Sequence, residues 1–257
     1  MNVIPDSHPR ASSLRLRHRL VEGLHNGIVT ESGLIAHGRG EALDYLLGER
    51  THPFATRAIA AASAMMTLAS LPVVTVNGNV AALTGPQLAA LAEHHPRIGF
   101  EVNLFHYTPE RAQRIVALFR ELGLRRIIEF GESAAPVPLP GTDSMRRFMH
   151  PEGVARADVV LVALEDGDRC GALVASGRKV IAIDLNPLSR TAQLARISVI
   201  DELTRVIDAL DRQLADDRDL SRGVLEERLA AYDNHAVLEQ AIQAIRSGFG
   251  AAGSGRV

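Results

Sequence analysis

From about residue 72 to residue 200 the chain alternates short β-branched runs with longer stretches of helical period. The runs are Val73–Val76, Ile98–Val102, Arg126–Phe130, Asp158–Leu164, Val180–Leu185 and Ile197–Ile200. They are apolar almost throughout rather than at every second position, the pattern of strands buried on both faces beneath covering helices. The stretches between them, 85–95, 108–122, 168–177 and 188–196, read as helices. Alternation of this kind predicts an α/β fold with a Rossmann-like parallel sheet.

The flanks carry the helical period alone. Ser12 or Ser13 is expected to cap a helix that buries Leu16, Leu20, Val21 and Leu24 and stops near Gly27. A second helix is expected from about Gly40 to Leu47 and a third from Pro53 to Ser70. Beyond Asp201 two more follow, with stripes Leu203/Ile207/Leu210/Leu214 and Leu225/Leu229/Tyr232/Leu238/Ile242/Ile245. The organisation expected is one domain over 1–247, with a helical N-terminal segment 1–70, a core 71–200 and C-terminal helices 201–247. The tail 248–257, GFGAAGSGRV, is flexible by composition.

Composition narrows the class. Of 257 residues 46% are apolar and 23% charged, with a net charge of −2, so neither nucleic acid nor an anionic membrane is advertised as a partner. No run of apolar residues is long enough for a membrane span, and the N-terminus lacks the plan of a signal peptide, so a cytoplasmic protein is expected. One cysteine, Cys170, excludes an intramolecular disulfide and argues against a cysteine-based metal site. Lys179 is the only lysine, so anions must be gripped by arginine, whose planar fork holds phosphate and carboxylate through two bonds.

Four polar clusters break the apolar pattern, each after a strand or before a helix, where open parallel sheets bind ligands. In Ile35-Ala36-His37-Gly38-Arg39-Gly40-Glu41, two glycines around Arg39 before a helix offer free N–H groups, a phosphate cradle or else a plain capping turn. Asn77-Gly78-Asn79 follows a strand and precedes a helix, which disfavours a hairpin, and Asn103 repeats the theme one strand later. Glu165-Asp166-Gly167-Asp168-Arg169 sets three carboxylates beside an arginine at the mouth of a buried strand. These groups suit nucleotide-bound Mg²⁺, an ammonium group or the orientation of Arg169, against the alternative of a solvated loop. Asp184-Leu185-Asn186 with Ser189-Arg190-Thr191 offers a carboxylate for ribose and donors for phosphate. His8 and Arg10, in the Pro-braced start of the chain, add an anion-site candidate. Neither GxxxxGK[ST] nor GxGxxG is present, so a P-loop enzyme and a nicotinamide dehydrogenase are disfavoured.

The stretches IPDSHPR, VEGLHNGIVTESGLIAHGRGEALDYLLGE, VNGNVAAL, EVNLF, ADVVLVALEDGDR and IDLNPLSRTA together resemble the archaeal-type phosphopantothenate synthetase family, the 4-phosphopantoate–β-alanine ligases, over roughly residues 1–210. The resemblance implies a homodimer that joins 4-phosphopantoate to β-alanine while ATP, with Mg²⁺, becomes AMP and pyrophosphate through an acyl-adenylate. Carried onto matching positions, it implies Arg17 and Arg39 on phosphate, Asp184, Leu185, Asn186, Arg190 and Thr191 on ribose and phosphates, and Glu202 with Leu203 at adenine. His8, Arg10, Asn77, Asn79, Asn103, Asp166, Asp168 and Arg169 remain for phosphopantoate, β-alanine or Mg²⁺, with His8, His37 or an acidic-loop carboxylate as general base. Phe105-His106-Tyr107 departs from the family pattern, and Cys170 stands where a more polar residue is expected. The competing readings are a ligase for unphosphorylated pantoate or another hydroxy acid, and a nucleotide-binding protein without catalysis.

Overall fold

The structure, a computed structural model, describes residues 4–8, 10–129, 131 and 135–251. Six strands form one parallel sheet: β1 (Pro72–Val76), β2 (Gly99–Val102), β3 (Ile127–Glu129), β6 (Val159–Ala163), β7 (Lys179–Ile183) and β8 (Ile197–Val199), in the order β3-β2-β1-β6-β7-β8. All six predicted runs are strands, with ends shifted by a residue or two; Phe130 lies outside the described residues. Between β3 and β6 runs a two-stranded antiparallel ribbon, β4 (Val137–Pro138) with β5 (Phe148–Met149), which the apolar pattern did not predict.

The sheet is buried on both faces because side chains alternate along each strand. Val74, Val76, Leu161, Ile181 and Ile183 point into a large core under α3 (Pro53–Leu68), α4 (Gly78–His94), α5 (Pro109–Glu121) and α8 (Leu203–Asp217). Val73, Val160, Val162, Val180 and Ala182 point into a smaller one, closed by α6 (Gly167–Ala175) and the irregular chain around Leu139, Met149 and Val154. The small residues of α3 let it pack closely on α8, on α9 (Arg222–Ala230) and on β8.

Several boundaries differ from expectation. Helix α1 (Ala11–His25) has Arg10 as its N-cap with no side-chain cap; Ser12 and Ser13 lie inside the first turn, and Val21 is 42% exposed. Helix α2 (Glu31–Leu46) starts nine residues before the expected Gly40, its first turn closed by Thr30 Oγ1 accepting from the Gly33 N–H. The His37–Glu41 cluster is therefore mid-helix, where backbone N–H groups are spent on the helix, and the predicted phosphate-cradling loop is not there. Glycine inside a helix costs about 1 kcal/mol. At Gly33 the close approach of Asn79 requires it, since a Cβ would stand 2.3 Å from Asn79 Oδ1; nothing in the structure explains Gly38. Helix α4 begins at Gly78, seven residues earlier than expected, and is kinked at Thr84 ahead of Pro86, which hid its first half from the periodicity.

The last predicted helix is two. Helices α9 and α10 (Asn234–Ala251) break at Asp233, whose carboxylate accepts from the His235 and Ala236 N–H groups. Helix α10 carries the chain to Ala251, into the expected tail, and 252–257 lie outside the described residues. Among the described residues no helix is long and apolar enough to cross a membrane.

Candidate active site

Numbered within the sheet alone, the strand order is 3-2-1-4-5-6, which reverses direction between β1 and β6. A doubly wound sheet opens a crevice at that point, beyond the carboxyl ends of its strands. The segments that leave those ends, Asn77–Asn79, Leu104–His106, Leu164–Asp166, Asp184–Leu185 and Asp201–Leu203, line two cavities there. Helix α2 lies between the cavities and gives each a different face.

The first cavity, about 240 Å³, is rich in carboxylates: Glu41, Asp44, Glu49, Asp184, Asp201 and Glu202, with Arg10, Arg205 and His37. Most of these charges are tied down locally. Arg205 bridges Asp44 and Asp201, with contacts of 2.5 Å to each, which holds its own pKa above the ordinary arginine value despite burial. Glu41 takes a two-pronged contact from Arg17, at 2.9 and 3.0 Å through Nε. Glu202 caps α8 by accepting from the Thr204 N–H at 2.9 Å. Asp184 folds its own turn, accepting from the Asn186 N–H at 2.9 Å and from Ser189 Oγ at 2.5 Å, and burial raises its pKa. Leu83, Leu185 and Leu203 supply apolar walls.

The second cavity, about 290 Å³, has the opposite character: Arg39, Arg111 and Arg146 line it with Asp166 as the one carboxylate. Three helices also start at its wall, α2 through Thr30, Ser32 and Gly33, α4 through Asn77–Asn79, and α6 through its N-cap Asp166. Helix starts present free N–H groups and a partial positive charge, a setting for anions. Asn77 caps α4 by accepting from the Val80 N–H at 3.1 Å and donates to the Ala163 carbonyl at 2.9 Å; Asn79 donates to the Gly33 carbonyl at 2.8 Å. A Cβ at Gly78 would lie 2.3 Å from the Ile28 carbonyl oxygen and 2.4 Å from Arg111 Nη2, so this turn requires glycine. Arg111 is held by the Ile28 and His106 carbonyls at 2.7 and 2.8 Å, and burial together with nearby Arg146 lowers its pKa. Among the described residues no carboxylate pairs with Arg111 or Arg39, so both cations are unneutralised at the cavity wall.

Arg146 is 5% exposed and pairs with Glu165 and with Asp166, the latter at 2.9 Å. Glu165 also binds Arg169 at 2.5 Å. Burial alone would raise the Glu165 pKa, but the two guanidiniums override it and hold the carboxylate below its ordinary value. Strand β2 braces the same loop: Asn103 donates to the Arg146 and Phe148 carbonyls at 3.3 and 3.4 Å. Glu101 accepts from the His150 and Val154 N–H groups at 3.1 and 2.6 Å.

Ala36 and Leu164 line both cavities and form the wall between them. Among the described residues Leu164 (φ 52°) and Glu49 (φ 51°) alone combine a positive φ with a side chain, and both face the first cavity. A leucine held in the left-handed region is strained, and such strain gathers at working sites.

Of the sequence candidates, Arg10, His37, Asp184, Leu185, Glu202 and Leu203 line the first cavity, and Arg39, Asn77, Asn79 and Asp166 the second. Arg17 stands behind Glu41. Others are not cavity walls. His8 is exposed, and its Nδ1 accepts from the Arg10 N–H at 3.0 Å. Asn103 and Arg169 are buried to 2% and 1% exposure and brace the Arg146 loop, with Arg169 donating to the Arg146 carbonyl at 3.2 Å. Asp168 pairs with Arg190 at 2.9 Å on the open surface. Thr191 is buried and donates to the Glu165 carbonyl at 2.8 Å, and Asn186 accepts from the Leu188 N–H at 3.0 Å. Sequence reasoning missed Arg111, Arg146, Asp44, Asp201 and Arg205. Arg111 and Arg205 carry the only signal, a charge at the start of an amphipathic helix, and that signal reads as surface.

Known proteins resemble this sequence over most of its length. The family model for phosphopantothenate/pantothenate synthetase matches residues 54–248. A 4-phosphopantoate–β-alanine ligase of Methanospirillum hungatei is 48% identical over 226 residues, covering 88% of this chain and 90% of the relative. Ligases of the same name from Thermococcus onnurineus and Methanosarcina mazei are 43% and 42% identical, each covering 96% of this chain and 93% and 95% of the relative. The chain belongs to the phosphopantothenate/pantothenate synthetase family.

Proposed function

We propose that the chain condenses 4-phosphopantoate with β-alanine to 4′-phosphopantothenate, a step of coenzyme A biosynthesis, while ATP becomes AMP and pyrophosphate. The observation that carries the reading is the pair of cavities of opposite charge that share one wall, Ala36 and Leu164. The acid brings a phosphate and a carboxylate, and the second cavity offers Arg111, Arg146 and three helix starts to receive them. The nucleoside brings hydroxyl and amino donors; the first cavity offers Asp184 and Glu202 as acceptors and Leu185 and Leu203 as apolar walls.

A carboxylate is inert to amines until one of its oxygens becomes a leaving group. We therefore place the acid's carboxylate at the shared wall, where it attacks the α-phosphorus of ATP, and the β-alanine amine then displaces AMP. Enclosure keeps water from the adenylate, and fixed positions replace the entropy of a three-body encounter. Arg39, on the exposed side of α2, and Arg17, behind Glu41, are assigned to the polyphosphate. No cluster of three or more His, Cys, Asp or Glu side chains among the described residues is arranged to hold a metal ion. Mg²⁺ would accordingly be held largely by the nucleotide phosphates, with Asp166 as the carboxylate within the second cavity. A homodimer, which the sequence resemblance implies, and a cytoplasmic location, which the composition suggests, complete the reading.

The test is release of AMP and pyrophosphate from ATP and Mg²⁺ with phosphopantoate and β-alanine, against controls that each lack one substrate. AMP formed only with both substrates is the expected result. ADP would overturn attack at the α-phosphorus, and absence of turnover would overturn the ligase. Pantoate in place of phosphopantoate tests the arginine cavity, and equal rates would remove its assigned role.

A further inference from the structure

β-Alanine arrives as an ammonium ion and ends as an amide, so two protons must leave its nitrogen. Water can take the first. The second leaves as the C–N bond forms, inside a closed site, and needs an acceptor there. Asp166 is committed to Arg146, and Asp168 to Arg190 outside both cavities. His8 is exposed, with its Nδ1 engaged by the Arg10 N–H. His37 differs from all of them. It lines the first cavity next to Ala36, one of the two residues shared by both, and its Nε2 is buried without a hydrogen-bond partner among the described residues.

We propose that His37 is the general base for amide formation, a step that rests on the adenylate reading above. Nε2 takes the second proton as the amine nitrogen bonds to the acyl carbon; the acyl–oxygen bond to phosphate breaks, and AMP leaves with its electron pair. The imidazolium then returns its proton to water. The groups that face the ring are Glu41 on its own helix, Glu202 at the start of α8 and Arg17 on α1. Burial lowers the His37 pKa and outweighs the two carboxylates, while Arg17 acts in the same direction as burial. The ring is thus neutral and able to accept a proton at neutral pH.

The experiment separates the two half-reactions in wild type, His37→Gln and His106→Gln, since His106 is the imidazole on the other cavity. Acid-dependent pyrophosphate–ATP exchange reads adenylate formation. Single-turnover transfer to β-alanine reads the second half, and hydroxylamine added together with denaturant, in free solution where the buffer takes the proton, traps the adenylate already formed. In His37→Gln, exchange and hydroxamate formation should stay within about threefold of wild type, which also shows that the variant folds. Transfer to β-alanine should fall about 100-fold and lose the acid limb of its pH profile. An equal fall in all three readouts, wild-type transfer, or a selective loss in His106→Gln instead would each overturn the proposal. Absence of exchange in the wild-type protein would overturn the adenylate reading itself, a result independent of the variants.

Discussion

The two cavities hold similar volumes and share a helix, yet they treat charge in opposite ways. On the first side six carboxylates meet two arginines, and nearly every carboxylate is already used by the fold, through Arg205, through Arg17 or through the start of α8. On the second side the cations exceed their partners, with Arg39 and Arg111 unpaired by any carboxylate among the described residues and Arg146 braced from behind by Glu165. A charge count of the walls already sends the phosphate-bearing acid to the second side, where cations outnumber carboxylates, and away from the first, where carboxylates outnumber cations. A count of charges still available agrees and names the groups, Arg39 and Arg111. Attraction for an incoming ion comes most of all from groups that the fold has left unneutralised.

That contrast can be broken. Replacing Arg146 by Ala removes a wall cation and strips Glu165 of one of two partners. We expect kcat/KM for the acid to fall about 1,000-fold, with the KM for ATP changed less than about threefold, and Lys not to restore it because the fork is lost. A comparable fall in both would show that the cavities do not divide the substrates. Gly78→Ala drives a methyl group into the Ile28 carbonyl and Arg111, and should cost about 2–3 kcal/mol in urea unfolding. Glu101, which braces the Arg146 loop, sharpens the comparison through pH. Burial raises its pKa from 4.5 to about 7, so between these values the folded chain keeps a proton that the unfolded chain has lost. Its contribution is therefore fully present below pH 4.5 and lost as pH rises through 7, with a slope of at most about 1.4 kcal/mol per pH unit; Glu101→Gln should flatten that slope in denaturant titrations run from pH 4 to 8. The smallest effect is expected at the exposed Asp168–Arg190 pair, where Asp168→Asn should change stability by less than about 0.5 kcal/mol.

The sheet was legible in the sequence because strands such as Val159–Ala163 are buried along their whole length, and nothing but continuous apolar character satisfies that environment. Helix α2 was half legible. Gly33, Gly38 and Gly40 lower helix propensity, and the Thr30 cap and the contact of Gly33 with Asn79 that hold its first turns are invisible until the chain is folded. In the site, Asp184 and Leu185 could be read because they follow a strand, and Glu202 only through the family resemblance. Arg146 could not, since it lies on an irregular segment with no period to break, and it reaches the cavity only because Asn103 and Glu101 pin that segment to β2. For Glu165 and Arg169 the sequence left ligand binding and orientation of the arginine both open; in the structure their charges turn inward and meet each other.

Helix α2, set as the partition between two chambers, has one more consequence. A single rigid rod cannot move to widen one chamber without narrowing the other, so any shift that one occupant selects alters the fit of its neighbour. Binding on the two sides is then linked, and linkage is symmetrical: the factor by which nucleotide changes the Kd of the acid equals the factor by which the acid changes the Kd of nucleotide. With nucleotide and acid on the two sides as proposed, the partition would act as a balance beam through which each substrate alters the fit of the other.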